Sequence, residues 1–228
     1  MCGRFAITLP PEAMSHLFQA QPGNDLPDVP NYNVCPTDSV HAVLAADGTR
    51  RLTAMRWGFL PHWYKTTSDG PLLINARAES VAEKPAFREA VRTRRCLIPA
   101  SGFYEWTKDA DGARLPWFIH PTQAQCFAFA GVWQEWERGD QALTTCAIVT
   151  TQAEGPMGDI HHRMPVIVAQ DDWPLWLGEQ GHGAARLMRA APAGDVAMHR
   201  VDPRVNSNRA SGPDLIEPIS GAETAGSG

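Results

Sequence analysis

Cysteine is the second residue of this chain, in Met1-Cys2-Gly3-Arg4-Phe5, and its position matters more than its type. A methionine followed by a small side chain is trimmed in the cytosol. Cys2 is therefore expected to become the mature N-terminus, with an α-amine and a thiol on adjacent carbons. An α-amine titrates near ~7.7–8.0 and lysine near ~10.4, so far more of the amine is unprotonated at neutral pH. The thiol, near ~8.5 unperturbed, is a second nucleophile on the same residue. Given an aldehyde, the amine forms a Schiff base and the sulfur closes on the same carbon, making an unstrained five-membered thiazolidine. The plainer alternative is a buried, inert cysteine in a first strand, since free cysteines are among the most buried residues.

Three further segments set polar groups in apolar or aromatic text: Asn75-Ala76-Arg77-Ala78-Glu79, Gly102-Phe103-Tyr104-Glu105-Trp106 and Ile160-His161-His162-Arg163-Met164-Pro165. In a strand, Glu105 shares a face with Phe103, and burial against aromatic surface raises a carboxyl toward neutrality, as a general acid/base requires. An edge-strand glutamate facing water is the competing reading. His161 and His162 are adjacent, point in different directions and lack metal-ligand spacing, so one suits a proton shuttle and the other the surface. Arg4, Arg77 and Arg163 suit phosphate or carboxylate clamps through the guanidinium fork, or else ordinary surface salt bridges. Asn75 either caps a turn or orients a sugar or carbonyl oxygen. Two aromatic-proline stretches, Asn31 to Thr37 with Asn33 within it and Arg56 to Trp63, are candidates to line a groove. Trp57 and Trp63 either stack on nucleobases or fill the core with a hydrogen-bonded indole.

The elements that must hold these groups are mostly strands. Cys2–Leu9 reads as a strand broken by Pro10-Pro11, after which Met14, Leu17 and Phe18 share a helical face. Residues 21–38 read as a long irregular loop, and Val40–Ala45 with Arg51–Trp57 as a hairpin around Asp47-Gly48. Lys84–Arg92 reads as a helix with Phe87, Ala90 and Val91 on one face. Strands follow at Cys96–Pro99, Phe103–Thr107, Pro116–His120, Phe127–Glu135, Leu143–Thr150 and Val166–Ala169. Late helices are expected at Asp172–Leu177 and Ala184–Ala191, and a last strand at Val196–Val201. Strands that do not alternate with helices argue for an α+β fold on antiparallel sheet. The expected organisation is one domain over residues 2–218, with a small, polar, disordered tail from 219 to 228.

Composition narrows the class. The chain has 228 residues, 43% hydrophobic and 20% charged, with no apolar run long enough for a transmembrane helix and no signal-peptide pattern. A cytoplasmic protein, monomeric by default and without membrane contact, is expected. Five scattered cysteines without a C-x-x-C argue against a disulfide framework or structural zinc, and neither metal nor cofactor is called for. A net charge of −5 points away from general nucleic-acid binding. Residues 86–95 nevertheless hold Arg88, Arg92, Arg94 and Arg95 against Glu89 alone, which is either a basic binding face or a solvated helix face.

Taken together, the motifs resemble one family. Met1-Cys2-Gly3-Arg4-Phe5, Tyr32-Asn33-Val34-Cys35-Pro36-Thr37, Trp57-Gly58-Phe59-Leu60-Pro61, Ile74 to Glu79, Arg95 to Pro99, Gly102 to Trp106, Ala130-Gly131-Val132-Trp133 and His161 to Pro165 stand in the order found in the SOS response-associated peptidase (SRAP) family. The resemblance spans about residues 2–218; the loop from Tyr64 to Pro71 matches no family pattern, and residues from Ile219 onward lie outside the family core. It implies a barrel-like core of mainly antiparallel sheet with a few flanking helices. It also implies binding of abasic sites in single-stranded DNA and a covalent thiazolidine crosslink through Cys2. Carried over by motif, Cys2 is the nucleophile and Asn75 positions the ring-opened sugar. Glu105 stabilises the abasic site and relays protons, and His161 assists Schiff-base formation. His161 rather than His162 takes that role because the family pattern reads His-x-Arg-Met-Pro. Arg4, Arg77 and Arg163 hold phosphates, with Asn33, Trp57 and Trp63 as further DNA contacts. The family name adds a peptidase activity, here taken as removal of residues before Cys2.

Two other classes compete. Glutaminase-type N-terminal-nucleophile amidohydrolases also open Met-Cys-Gly, but need an oxyanion hole and share none of the later motifs. A non-catalytic single-strand binder would use the tryptophans and arginines alone.

Overall fold

The computed structural model describes residues 2–219; all but the first residue of the tail expected over 219–228 lies outside them. In chain order the first strands are β1 (Phe5–Ile7), β2 (Ala20–Pro22), β3 (Asn31–Val34), β4 (Ser39–Ala46), β5 (Thr49–Trp57), β6 (Asn75–Arg77) and β7 (Arg95–Ala100). They are followed by β8 (Gly102–Lys108), β9 (Arg114–Pro121), β10 (Phe127–Arg138), β11 (Gln141–Gln152), β12 (Arg163–Pro165) and β13 (Val196–Arg200). The α-helices are short: α1 (Pro11–Phe18), α2 (Ala90–Thr93), α3 (Met157–Ile160) and α4 (Trp173–Leu177). Among the described residues no helix is long and apolar enough to cross a membrane.

The larger sheet closes on itself. β4 and β5 form the expected hairpin, with Asp47 at φ 52° and Gly48 at φ 73° in its turn. A two-residue hairpin turn needs positive φ at both positions, and Asp-Gly meets that need at little steric cost. β4 pairs with β7, β7 with β10 and β10 with β11, all antiparallel. Thr145 then pairs parallel with Arg56 and Cys146 with Trp57, returning β11 to β5 and completing a five-stranded ring. Both faces of β11 are covered at its centre, so Thr145–Thr151 are buried without alternation. β2, β6 and β12 extend this sheet. The α+β class with a barrel-like, mainly antiparallel core is thus the observed one.

The smaller sheet runs β13-β9-β8-β1-β3. Gly102 starts β8 opposite Ala6, where a Cβ would stand 2.6 Å from the Ile119 carbonyl oxygen, so only glycine lets β1, β8 and β9 approach this closely. Phe5 of β1 joins the two sheets, its ring 5.2 Å from Trp57 and 6.1 Å from Phe129. On the outer side, Val201, Val205 and Leu215 of the C-terminal segment bury against Ala6, Tyr104 and Phe118.

Four segments depart from the sequence reading. Residues 21–38 contain β3, paired with β1, rather than loop alone. Val166–Ala169 is not a regular strand because it crosses between two partners. The Val166 N–H bonds the Val149 carbonyl of β11, while the Val168 N–H bonds the Ala128 carbonyl of β10. Residues 84–92 wind through mixed three- and four-residue turns and become regular α-helix only at Ala90, and Ala184–Leu187 is a 3₁₀ turn rather than a longer helix.

Candidate active site

Cys2 leads into β1 and is fully buried in the main core. Asn75 opens β6, which lies parallel to β11 with Asn75 beside Ile148. The Trp57 indole N–H donates to the Ile74 carbonyl at 3.0 Å and fixes that strand end. From there the Asn75 Nδ2 donates to the Cys2 carbonyl at 2.9 Å, while its buried Oδ1 has no hydrogen-bond partner among the described residues. Burial, and next the charge of Glu105, push the Cys2 thiol well above its ordinary range, so the sulfur is held as a neutral thiol.

Glu105 lies in the middle of β8 and is 3% exposed. Burial raises its carboxyl above the ordinary carboxylate range, as the aromatic surroundings in the sequence lead one to expect. His161 follows α3 in an extended conformation, which turns its ring toward β8 with Nδ1 3.8 Å from Glu105 Oε1. The same Nδ1 is 3.0 Å from both the N–H and the carbonyl oxygen of Arg163. Desolvation lowers the imidazole below its usual range. His162 is exposed.

The site opens on two sides. Gly3, Arg4, Glu105, Trp106, Lys108 and Arg114 line a cleft of about 370 Å³ that His161 also reaches. Asn75 lines a second cleft, of about 530 Å³, shared with Trp63, Arg77, Lys84 and Phe87. Cys2 is bonded to Gly3 of the first cleft and held by Asn75 of the second, so it joins the two. Cations flank both clefts, and Trp63, 45% exposed, supplies an accessible ring. Two larger cavities lie away from Cys2.

Three residues expected at the DNA surface are placed otherwise. Trp57 has no exposed face and is packed against Phe5, so no base can stack on it. Asn33 is buried, its Nδ2 donating to the carbonyls of Ser207 and Ala210 and its Oδ1 accepting from Arg4, which ties down the C-terminal segment. Arg163 is 8% exposed and committed to both carboxylate oxygens of Glu79, at 2.7 and 2.9 Å, and to the Thr150 carbonyl at 2.7 Å. It braces the His161 segment rather than facing solvent. Arg4 does line a cleft, although one of its nitrogens is occupied by Asn33 and the Val205 carbonyl. Arg77 is exposed beside Asn75.

Sequence reasoning missed Glu79 as the brace of Arg163, and Lys108 and Arg114 as cleft cations. Glu79 stood inside a quoted motif, but nothing in a single sequence pairs it with a residue 84 positions away. Arg114 is placed by its stacking on Trp106, 4.5 Å from the ring centroid, across the β8–β9 hairpin.

Comparison with known proteins agrees with this architecture. A family model described as SOS response associated peptidase (SRAP) matches residues 1–208. The protein YoqW of Bacillus subtilis, named an abasic site processing protein, is 36% identical over 224 residues, covering 95% of this chain and 99% of that one. YedK of Escherichia coli, which carries the same description, is 31% identical across 96% of this chain and 100% of its own. Among solved structures, a Bacteroides thetaiotaomicron protein superposes with a TM-score of 0.84 at 21% identity, covering 96% of this chain and 100% of that chain. A phage-related protein from Bordetella bronchiseptica superposes with a TM-score of 0.70 at 27% identity, covering 88% and 94%. With the model matched along nearly its whole length and such relatives spanning it end to end, the chain belongs to the SOS response associated peptidase family.

Proposed function

We propose that this protein binds abasic sites in single-stranded DNA and traps them covalently through Cys2 once Met1 is removed. The observation that supports this reading is the hydrogen bond of Asn75 to Cys2, together with Glu105, whose charge acts on the Cys2 thiol and which lies 3.8 Å from His161, beside two cation-lined clefts. The names of the relatives YoqW and YedK support the substrate class.

An open abasic deoxyribose is an aldehyde. The Cys2 amine adds to its carbonyl carbon, and loss of one water gives an imine. The thiol sulfur then adds to the imine carbon, its proton passing to the nitrogen, and the thiazolidine ring is complete. The order of attack follows from burial: with the thiol held neutral, the amine is the better first nucleophile. Glu105, with its raised carboxyl, relays the thiol proton to that nitrogen and serves the proton transfers of dehydration, and His161 assists from 3.8 Å. Asn75 fixes Cys2 and offers its free Oδ1 to the opened sugar. Arg4, Arg77, Lys108 and Arg114 hold the flanking phosphates, and Trp63 offers a stacking face. The protein acts in this reading as a cytoplasmic monomer that meets the nucleoid through its DNA.

A denaturing gel tests the proposal. Processed protein mixed with a single-stranded oligonucleotide carrying one abasic site gives a shifted band. Cys2→Ala, or one residue added before Cys2, abolishes it. A native N-terminus that yields no band refutes the crosslink.

A further inference from the structure

The basic run near residue 90 takes no part in the centre around Cys2, yet its turns still sort its side chains into two faces. The Arg88 N–H donates to the Lys84 carbonyl at 2.9 Å, Val91 to Phe87 at 2.9 Å and Thr93 to Glu89 at 3.1 Å, so residues 84–93 climb in helical turns. Phe87, Ala90 and Val91 bury the inner face. Lys84, Arg88 and Arg92, each four residues after the last, are all exposed, away from that inner face.

Their neighbours are already engaged. Arg94 is bound to Glu89 at 3.1 Å and to Gln134, and Arg95 to the carbonyls of Val91, Arg92 and Trp176. Lys84, Arg88 and Arg92 form no ion pair among the described residues. Glu83 is the one adjacent acid not tied to a cation. Three unneutralised cations on one line are notable in a chain of net charge −5.

Both ends of the line reach concave surface. Lys84 lines the cleft that holds Asn75, Arg77 and Trp63. Arg92 lines a cavity of about 720 Å³ with Arg95, Trp176, His182 and Met188, and no carboxylate lines that cavity. We propose that the Lys84–Arg88–Arg92 stripe is a phosphate track carrying single-stranded DNA from the Asn75 cleft onward to the Arg92 cavity. The proposal rests on the reading of the Asn75 cleft as a DNA site and adds where the strand continues.

Undamaged oligonucleotides test the track without any adduct. The full chain is titrated with single strands of about 5 and about 20 nucleotides, which bracket the site sizes of most single-strand binders. The wild-type protein is expected to bind the long strand at least about tenfold more tightly at low salt, because extra phosphates are held. The double variant Arg88→Ala/Arg92→Ala loses most of that gain, and its slope of log K against log salt shrinks by about 1.4, two single-strand phosphate contacts. Arg88→Lys/Arg92→Lys restores both, and circular dichroism checks that each variant is folded. A folded double alanine variant with wild-type affinity and slope on the long strand overturns the track, as does a wild-type affinity independent of length. Failure to crosslink an abasic strand would instead refute the Cys2 chemistry and leave these measurements standing.

Discussion

Glu105 Oε1 and His161 Nδ1 lie 3.8 Å apart, one from the middle of a strand and the other from the residue after a single-turn helix. Burial acts on the two in opposite directions, raising the carboxyl and lowering the imidazole. Both shifts favour the neutral forms, so the pair is built to exchange protons rather than to hold a fixed charge. The rate of adduct formation is then expected to fall as pH drops through the raised Glu105 titration, above the ordinary carboxylate range. Glu105→Gln removes that acid limb and slows the reaction by about a hundredfold, a usual loss for a general acid/base. Single-turnover rates on an abasic oligonucleotide from acidic to mildly alkaline pH measure it. An unchanged acid limb in Glu105→Gln assigns the titration to another group.

Asn75 uses one end of its amide on Cys2 and leaves the other without a partner. Asn75→Ala removes the donor to a buried carbonyl, with an expected stability loss of about 1 kcal/mol. It should also slow adduct formation about tenfold or more, through a misplaced nucleophile. Asn75→Asp sets a carboxylate against the Cys2 carbonyl and is expected to be worse on both measures. Thermal unfolding read alongside crosslinking rates separates the two effects. A variant with lowered stability but a wild-type rate would confine Asn75 to a structural role.

Much of this centre was readable because its residues sit in local patterns. Cys2 stands out by position, Glu105 by its aromatic surroundings and the β4–β5 hairpin by its turn residues, whereas His161 is told from His162 by the family pattern alone. What escaped depends on long-range closure. Trp57 looks identical in sequence whether it faces solvent or core, and only the parallel pairing of β5 with β11 decides that it is enclosed. Arg163 and Asn33 read as free polar side chains until their partners arrive from Glu79 and from the C-terminal segment. Val166–Ala169 carries the text of a strand, but its hydrogen bonds go to two different neighbours.

Arg163 carries a prediction of its own. Its guanidinium is fixed by Glu79 and Thr150, and its backbone N–H and carbonyl both meet the His161 ring. Arg163→Ala is therefore expected to slow crosslinking through a displaced imidazole, with Arg163→Lys recovering part of the loss. Glu79→Gln, which keeps one acceptor, is milder. Arg163 holds the Glu79 carboxyl below its ordinary range. A depressed folded-state value means that this contribution to stability is present above the unfolded value and fades as pH falls through the folded one. Urea midpoints across the acid range should thus show a shallower loss for Glu79→Gln than for wild type. If Arg163→Ala alters DNA affinity while leaving the crosslinking rate of bound DNA intact, the residue acts on phosphate and not on His161.

His41 is expected to add to the acid sensitivity of the fold. It lies on β4 with 2% exposure, and neither ring nitrogen makes a well-formed hydrogen bond. Burial pushes its pKa down to about 4, against a smaller opposing pull from the Pro27 backbone. Once unfolded, the ring returns to ~6.5 and takes up a proton that the folded state refuses. Stability is therefore whole above the unfolded value and declines as pH falls from there toward the folded value, by on the order of 3 kcal/mol when complete. His41→Leu puts an apolar side chain of similar size at the position and removes the titration. The urea midpoint of wild type should drop steeply between neutral pH and about pH 4.5, while that of His41→Leu drops less. Equal drops in the two proteins would place the acid sensitivity on the carboxylates instead.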